Sequence, residues 1–89
     1  MSVDNNEKHH QFEVHADGQM AFLSYRMDGD AIVLEHTRVP PQLEGRGIAS
    51  SMATAAFDYA RSKHLRVVVI CPYVQSWLER HPEQRDIVI

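Results

Sequence analysis

The sequence holds one cysteine, Cys71, so no internal disulfide can form and the fold must be held by packing alone. No apolar run approaches the roughly 18 residues of a membrane span. Residues 1–8 are polar and lack the apolar stretch of a secretory signal. The expectation is a cytoplasmic protein with residues 1–10 frayed or disordered. Basic residues are also scarce, with 9 Lys and Arg against 12 Asp and Glu and a net charge of -3, so no positive field draws nucleic acid. The six histidines, at 9, 10, 15, 36, 64 and 81, lack a spacing such as His-Glu-x-x-His, and no metal site is expected. With 89 residues the chain has room for one core, which makes residues 1–89 a single domain and excludes a cleft between two.

What is present is clear periodicity. In Gln11–Ala16, Phe12 and Val14 alternate with polar neighbours, the period of a strand with one wet face. Asp17-Gly18 supplies a turn, residues 21–26 a second strand, and Asp28-Gly29-Asp30 another turn. A third strand runs over residues 31–39, with Ile32, Leu34 and His36 expected on one face and Val33, Glu35 and Thr37 on the other. Pro40-Pro41 ends it, because neither proline has an N–H to offer a neighbouring strand.

Residues 47–64 then repeat Ile48, Met52, Ala55, Ala56 and Tyr59 at helical spacing, with a second seam of Ala49, Ala53, Ala56 and Ala60 that lets a helix lie close to a sheet. Residues 66–71 form a β-branched run that suits a central strand covered on both faces. Pro72 can open a short helix carrying Val74, Trp77 and Leu78, read as core, before His81-Pro82 stops it. Residues 83–89 close the chain as a short helix or strand. The class is α/β (α+β), with an antiparallel N-terminal part and a parallel strand-helix-strand crossover in a mixed sheet.

Between Pro41 and the long helix lies a loop with Gly45 and Gly47. A helix start offers unpaired N–H groups and about half a positive charge, and glycines let backbone amides approach an anion closely. Arg46 adds charge there. A Walker loop is excluded because no lysine follows Gly47, and a dinucleotide fingerprint because Ser50 stands at its third small position.

Gln42-x-x-Gly45-x-Gly47 followed by Ala49 resembles the pyrophosphate loop of the GNAT superfamily of N-acetyltransferases. With Glu35-His36-Thr37-x-Val39-Pro40, Cys71-Pro72-Tyr73-Val74 and His81-Pro82-Glu83, the chain is similar to a family of small single-domain GNAT-like proteins over residues 12–88. The resemblance implies a minimal GNAT-like fold that binds acetyl-CoA and transfers its acetyl group to an amine of unknown identity. It implies a wedge between the third strand and the strand ending at Cys71, the pantetheine arm beside Thr37 and Val39. The pyrophosphate would rest on Gln42, Gly45, Arg46, Gly47, Ile48, Ala49 and Ser50. Larger GNAT enzymes carry further helices after the first strand and another C-terminal hairpin, which are missing here. A second subunit could complete the acceptor side, so a monomer and a homodimer are both open.

Three residues are candidates for the chemistry. Cys71 directly precedes a helix, where a thiolate is favoured, and could attack a thioester; a buried cysteine is equally a small hydrophobe. His36 could serve as a base, or be a hydrogen-bonded strand histidine. Tyr73 could protonate the departing thiolate, or simply pack. The alternatives to an acyltransferase are a non-catalytic acyl-CoA-binding or sensing module and an interaction domain whose loop binds another phosphate.

Overall fold

The computed structural model describes residues 2–89. The alternating segments form antiparallel strands, β2 (Gln11–Ala16), β3 (Gln19–Asp28) and β4 (Ala31–Arg38). Asp17 and Gly18 both have positive φ, 52° and 71°, the backbone that a two-residue hairpin turn needs to match the strands' right-handed twist. A 3-10 turn (Pro41–Leu43), α1 (Ile48–Ser62), β5 (Arg66–Val69), α2 (Pro72–Arg80) and a final 3-10 segment (Pro82–Ile87) follow. The five strands lie in sequence order, with β4 and β5 parallel. The mixed sheet and crossover expected from the sequence are both present.

Two expectations about the edges of the sheet are corrected. Asp4–Asn6, within the supposedly frayed start, form strand β1 against β2. Its Asn5 side chain accepts a hydrogen bond from the Tyr25 hydroxyl at 2.8 Å, and that tie explains the order. The β-branched run of β5 does not lie centrally but at the sheet's edge. Its outer side is covered by the C-terminal tail, where Val67 bridges Val88 and accepts the Ile89 amide at 2.8 Å. Covering an edge in this way leaves fewer unpaired backbone groups to attract another chain.

One core joins sheet and helices. Phe12, Val14, Leu23, Ile32, Leu34 and Val67 meet Met52, Ala53, Phe57 and Ala60 of α1 and Val74, Trp77 and Leu78 of α2. The Ala53, Ala56 and Ala60 seam is buried, as expected of close helix-sheet contact. Phe57, absent from the periodic set read in the sequence, is fully buried with its ring centroid 5.3 Å from that of Trp77. Burying one such side chain is worth about 1.5–3 kcal/mol.

The third strand departs from its simple alternation. Tyr25 faces Leu34 but Ser24 faces His36, so Glu35 is an extra residue that bulges out of the ladder. The phase of β4 flips there. Thr37, opposite buried Leu23, shares the core side with Leu34, whereas His36 turns to the reverse side with Ser24 and is exposed. The sequence expectation that Leu34 and His36 share a face is therefore overturned.

Candidate functional site

The site forms where β4 and β5 part. The amides of Ile70 and Cys71 both donate to the Leu34 carbonyl, at 2.9 and 3.1 Å, and Pro72 has no N–H with which to continue. The ladder with β5 stops at Leu34, while β4 runs on to Arg38. The last half of β4 thus has no strand partner on that side among the described residues.

The loop after β4 is anchored rather than loose. Leu43 is fully buried, and its amide and that of Glu44 bond back to Pro40 and Pro41. Gly45 and Gly47 have φ of 79° and 74°, a left-handed backbone that side chains other than glycine adopt at a penalty. Gly47 is the N-cap of α1, and no side chain caps that helix. The first-turn amides of Ile48, Ala49 and Ser50 therefore lack a side-chain acceptor, and the positive end of the helix dipole is uncompensated.

A cavity of about 240 Å³ opens at this place, bordered by Val39 at the end of β4, Leu43, Glu44, Gly45 and Gly47 of the loop, Ile48, Ala49 and Ser50 of α1, and Tyr73 of α2. That is below the roughly 300–1,000 Å³ of pockets that enclose whole ligands, and fits a groove holding one stretch of an extended molecule. Of the residues singled out in the sequence, Val39, Gly45, Gly47, Ile48, Ala49, Ser50 and Tyr73 come together here. Leu43 and Glu44 were missed. A lone leucine in a polar, proline-led loop was the available signal for the first; Glu44 had none.

The remaining candidates lie elsewhere. Gln42 is exposed and accepts through its carbonyl from Arg46 at 3.3 Å. The Arg46 guanidinium is paired with Asp17 of the β2–β3 turn at 2.8 Å, and neither residue is among those that border the cavity. Cys71 is 1% exposed, with its sulfur 3.0 Å from the Thr37 hydroxyl. The bulge carries Thr37 to this thiol and His36 away from it. Glu35 pairs with Arg26 at 2.7 Å.

Comparison with known proteins agrees with this fold. Residues 11–87 match the family model described as GCN5-related N-acetyl-transferase. The chain is 39% identical over 83 residues to Protein NATD1 of Bos taurus, covering 90% of this chain and 74% of that protein. It is 36% identical over 83 residues to human Protein NATD1, with the same coverage of 90% and 74%. The fold also matches the NMR solution structure of a GCN5-like protein from Staphylococcus aureus, with a TM-score of 0.77 over 99% of this chain and 87% of that one, at 24% identity. No helix among the described residues is long and apolar enough to cross a membrane. With a family model matching residues 11–87 and a fold to match, this chain belongs to the GCN5-related N-acetyltransferase family.

Proposed function

We propose that the protein binds acetyl-CoA in the groove between the end of β4 and the first turns of α1 and α2, and transfers the acetyl group to an amine. The observation that carries this is the junction of two left-handed glycines with an uncapped helix start at one cavity. The residues fit an anion with an extended arm. Amides of 45–50 would receive the pyrophosphate, and the unpaired β4 backbone around Thr37 and Val39 would take the amide groups of the arm as a missing strand would. The positive charge comes from the helix start, because Arg46 is engaged by Asp17.

Bound acetyl-CoA supplies an activated acetyl thioester. An incoming neutral amine attacks its carbonyl carbon, the carbon–sulfur bond breaks, and amide and free thiol result, the proton lost by the amine balancing the one gained by the sulfur. A backbone N–H of the splayed β4 end stabilises the oxygen's developing charge. Tyr73, the candidate that borders the cavity, gives its hydroxyl proton to the departing sulfur and regains one from the amine through solvent. Direct attack suits the burial of Cys71 better than a relay through its thiol.

A second reading, an acyl-CoA-binding or sensing module without turnover, is favoured by one observation. His36 lies on the reverse side and Glu35 is paired, so neither supplies a base at the cavity.

The first test is thermal unfolding with acetyl-CoA, ATP and inorganic pyrophosphate. Saturation at 100 times Kd stabilises by about 2.7 kcal/mol, which in a domain of this size raises Tm by more than roughly 10 °C. Acetyl-CoA is expected to stabilise most, and Gly47→Trp to abolish the shift. No shift at millimolar acetyl-CoA rejects the site, and equal shifts with pyrophosphate reject its preference for coenzyme A. A panel of amines, scored by release of free thiol, separates transfer from binding alone.

A further inference from the structure

Trp77 is the sole tryptophan and is 1% exposed, held between Phe57, 5.3 Å away by ring centroids, and His81, stacked at 4.2 Å and 19°. The His81 Nδ1 lies 2.9 Å from the Trp77 carbonyl oxygen, which can only accept, so the imidazole donates and fixes its own tautomer. A buried indole N–H needs an acceptor. Here it donates to the Ser50 hydroxyl oxygen at 3.0 Å, across 27 residues of sequence. Ser50 is the third residue of α1 and borders the cavity.

That bond determines what Ser50 has left to offer. A helix serine commonly spends its hydroxyl hydrogen on the carbonyl one turn back, as the next residue does, with Ser51 Oγ donating to the Gly47 carbonyl at 3.0 Å. Ser50 does not. One lone pair is taken by Trp77, and its hydrogen has no protein acceptor among the described residues. A hydroxyl that accepts from a buried N–H is polarised toward donating.

We propose that Trp77 is a positioning residue for the coenzyme A pyrophosphate, its indole N–H holding the Ser50 oxygen so that the hydroxyl hydrogen points into the cavity and donates to a phosphate oxygen. This rests on the coenzyme A reading of the cavity. It gives Trp77 a part in ligand binding beyond the core packing expected from the sequence. Trp77 acts through Ser50 and does not touch the ligand itself.

The test follows the indole Nε1–H cross-peak of the wild-type protein in a ¹H–¹⁵N spectrum during titration with acetyl-CoA, together with calorimetric affinities of Ser50→Ala, Trp77→Phe and the double variant. The cross-peak is expected to shift with the binding isotherm. Losing one charge-assisted donor should weaken binding about tenfold in either single variant. The double variant should bind no worse than Ser50→Ala, because Trp77 works only through that hydroxyl. A general packing role for Trp77 would instead add its own loss. Should Trp77→Phe not fold, the wild-type cross-peak and Ser50→Ala still decide. Acetyl-CoA binding with an unmoved indole signal, or with unchanged affinity in Ser50→Ala, overturns this proposal alone. Absence of any acetyl-CoA binding overturns the functional reading with it.

Discussion

Replacing Cys71 with alanine separates a packed thiol from a reactive one. The side chain is 1% exposed, belongs to the central core and contacts the Thr37 hydroxyl at 3.0 Å. Removing the sulfur forfeits its burial, leaves a void of about one heavy atom and strips Thr37 of its partner. Together these cost about 1–2 kcal/mol. In a domain of this size each kcal/mol moves Tm by roughly 4–8 °C, so a drop of roughly 5–15 °C is expected in a scanning melt. Intact mass after incubation of the wild type with acetyl-CoA should show no acetyl adduct. Thr37→Val should lose part of the same stability, and Cys71→Ala on that background should lose less than it does alone, because the two share one contact. An acetylated Cys71, or a Cys71→Ala variant that melts like the wild type, would refute the assignment of this thiol to packing.

Three further outcomes are expected. Glu13, 6% exposed, accepts hydrogen bonds from Gln11, His15 and Asn6, and its carboxyl is held below its ordinary value of 4.5 by the Gln11 bond first, against opposing desolvation and with help from His15 and Asn6. A depressed carboxyl stabilises the fold above its unfolded value, and that contribution is lost as pH falls through the folded one. Acid melts of the wild type should therefore steepen below about pH 4.5, and Glu13→Gln should flatten that slope. Phe57→Ala removes a fully buried ring packed at a tilt against Trp77 and should cost about 3–5 kcal/mol in urea unfolding, a large share of the stability of a domain this small. Arg61→Ala breaks the contacts to Asp86 at 2.7 and 3.1 Å and to Gln84 that fasten the C-terminal segment. This exposed pairing should leave Tm nearly unchanged while hydrogen exchange at the Ile89 amide quickens, the more so in low salt, where the lost pair is stronger.

The sequence by itself determined the loop and every strand and long helix except β1. Strand alternation in β2, the Asp17-Gly18 turn, the end of β4 near Pro40 and the reach of α1 are written in neighbours two to four residues apart, where period and turn chemistry act. Gly45, Gly47 and the helix start were legible for the same reason, since a left-handed backbone and uncapped amides are local properties. Tertiary structure alone decided which side chains met. The Glu35 bulge arises from pairing with β3, and it reversed the faces of His36 and Thr37 without any sign in the alternation of β4. β5 became an edge strand because the tail, rather than another full strand, lay beside it. The Thr37–Cys71 and Ser50–Trp77 contacts join residues 34 and 27 positions apart, and such pairs exist only once the sheet splays and α2 comes to rest against α1.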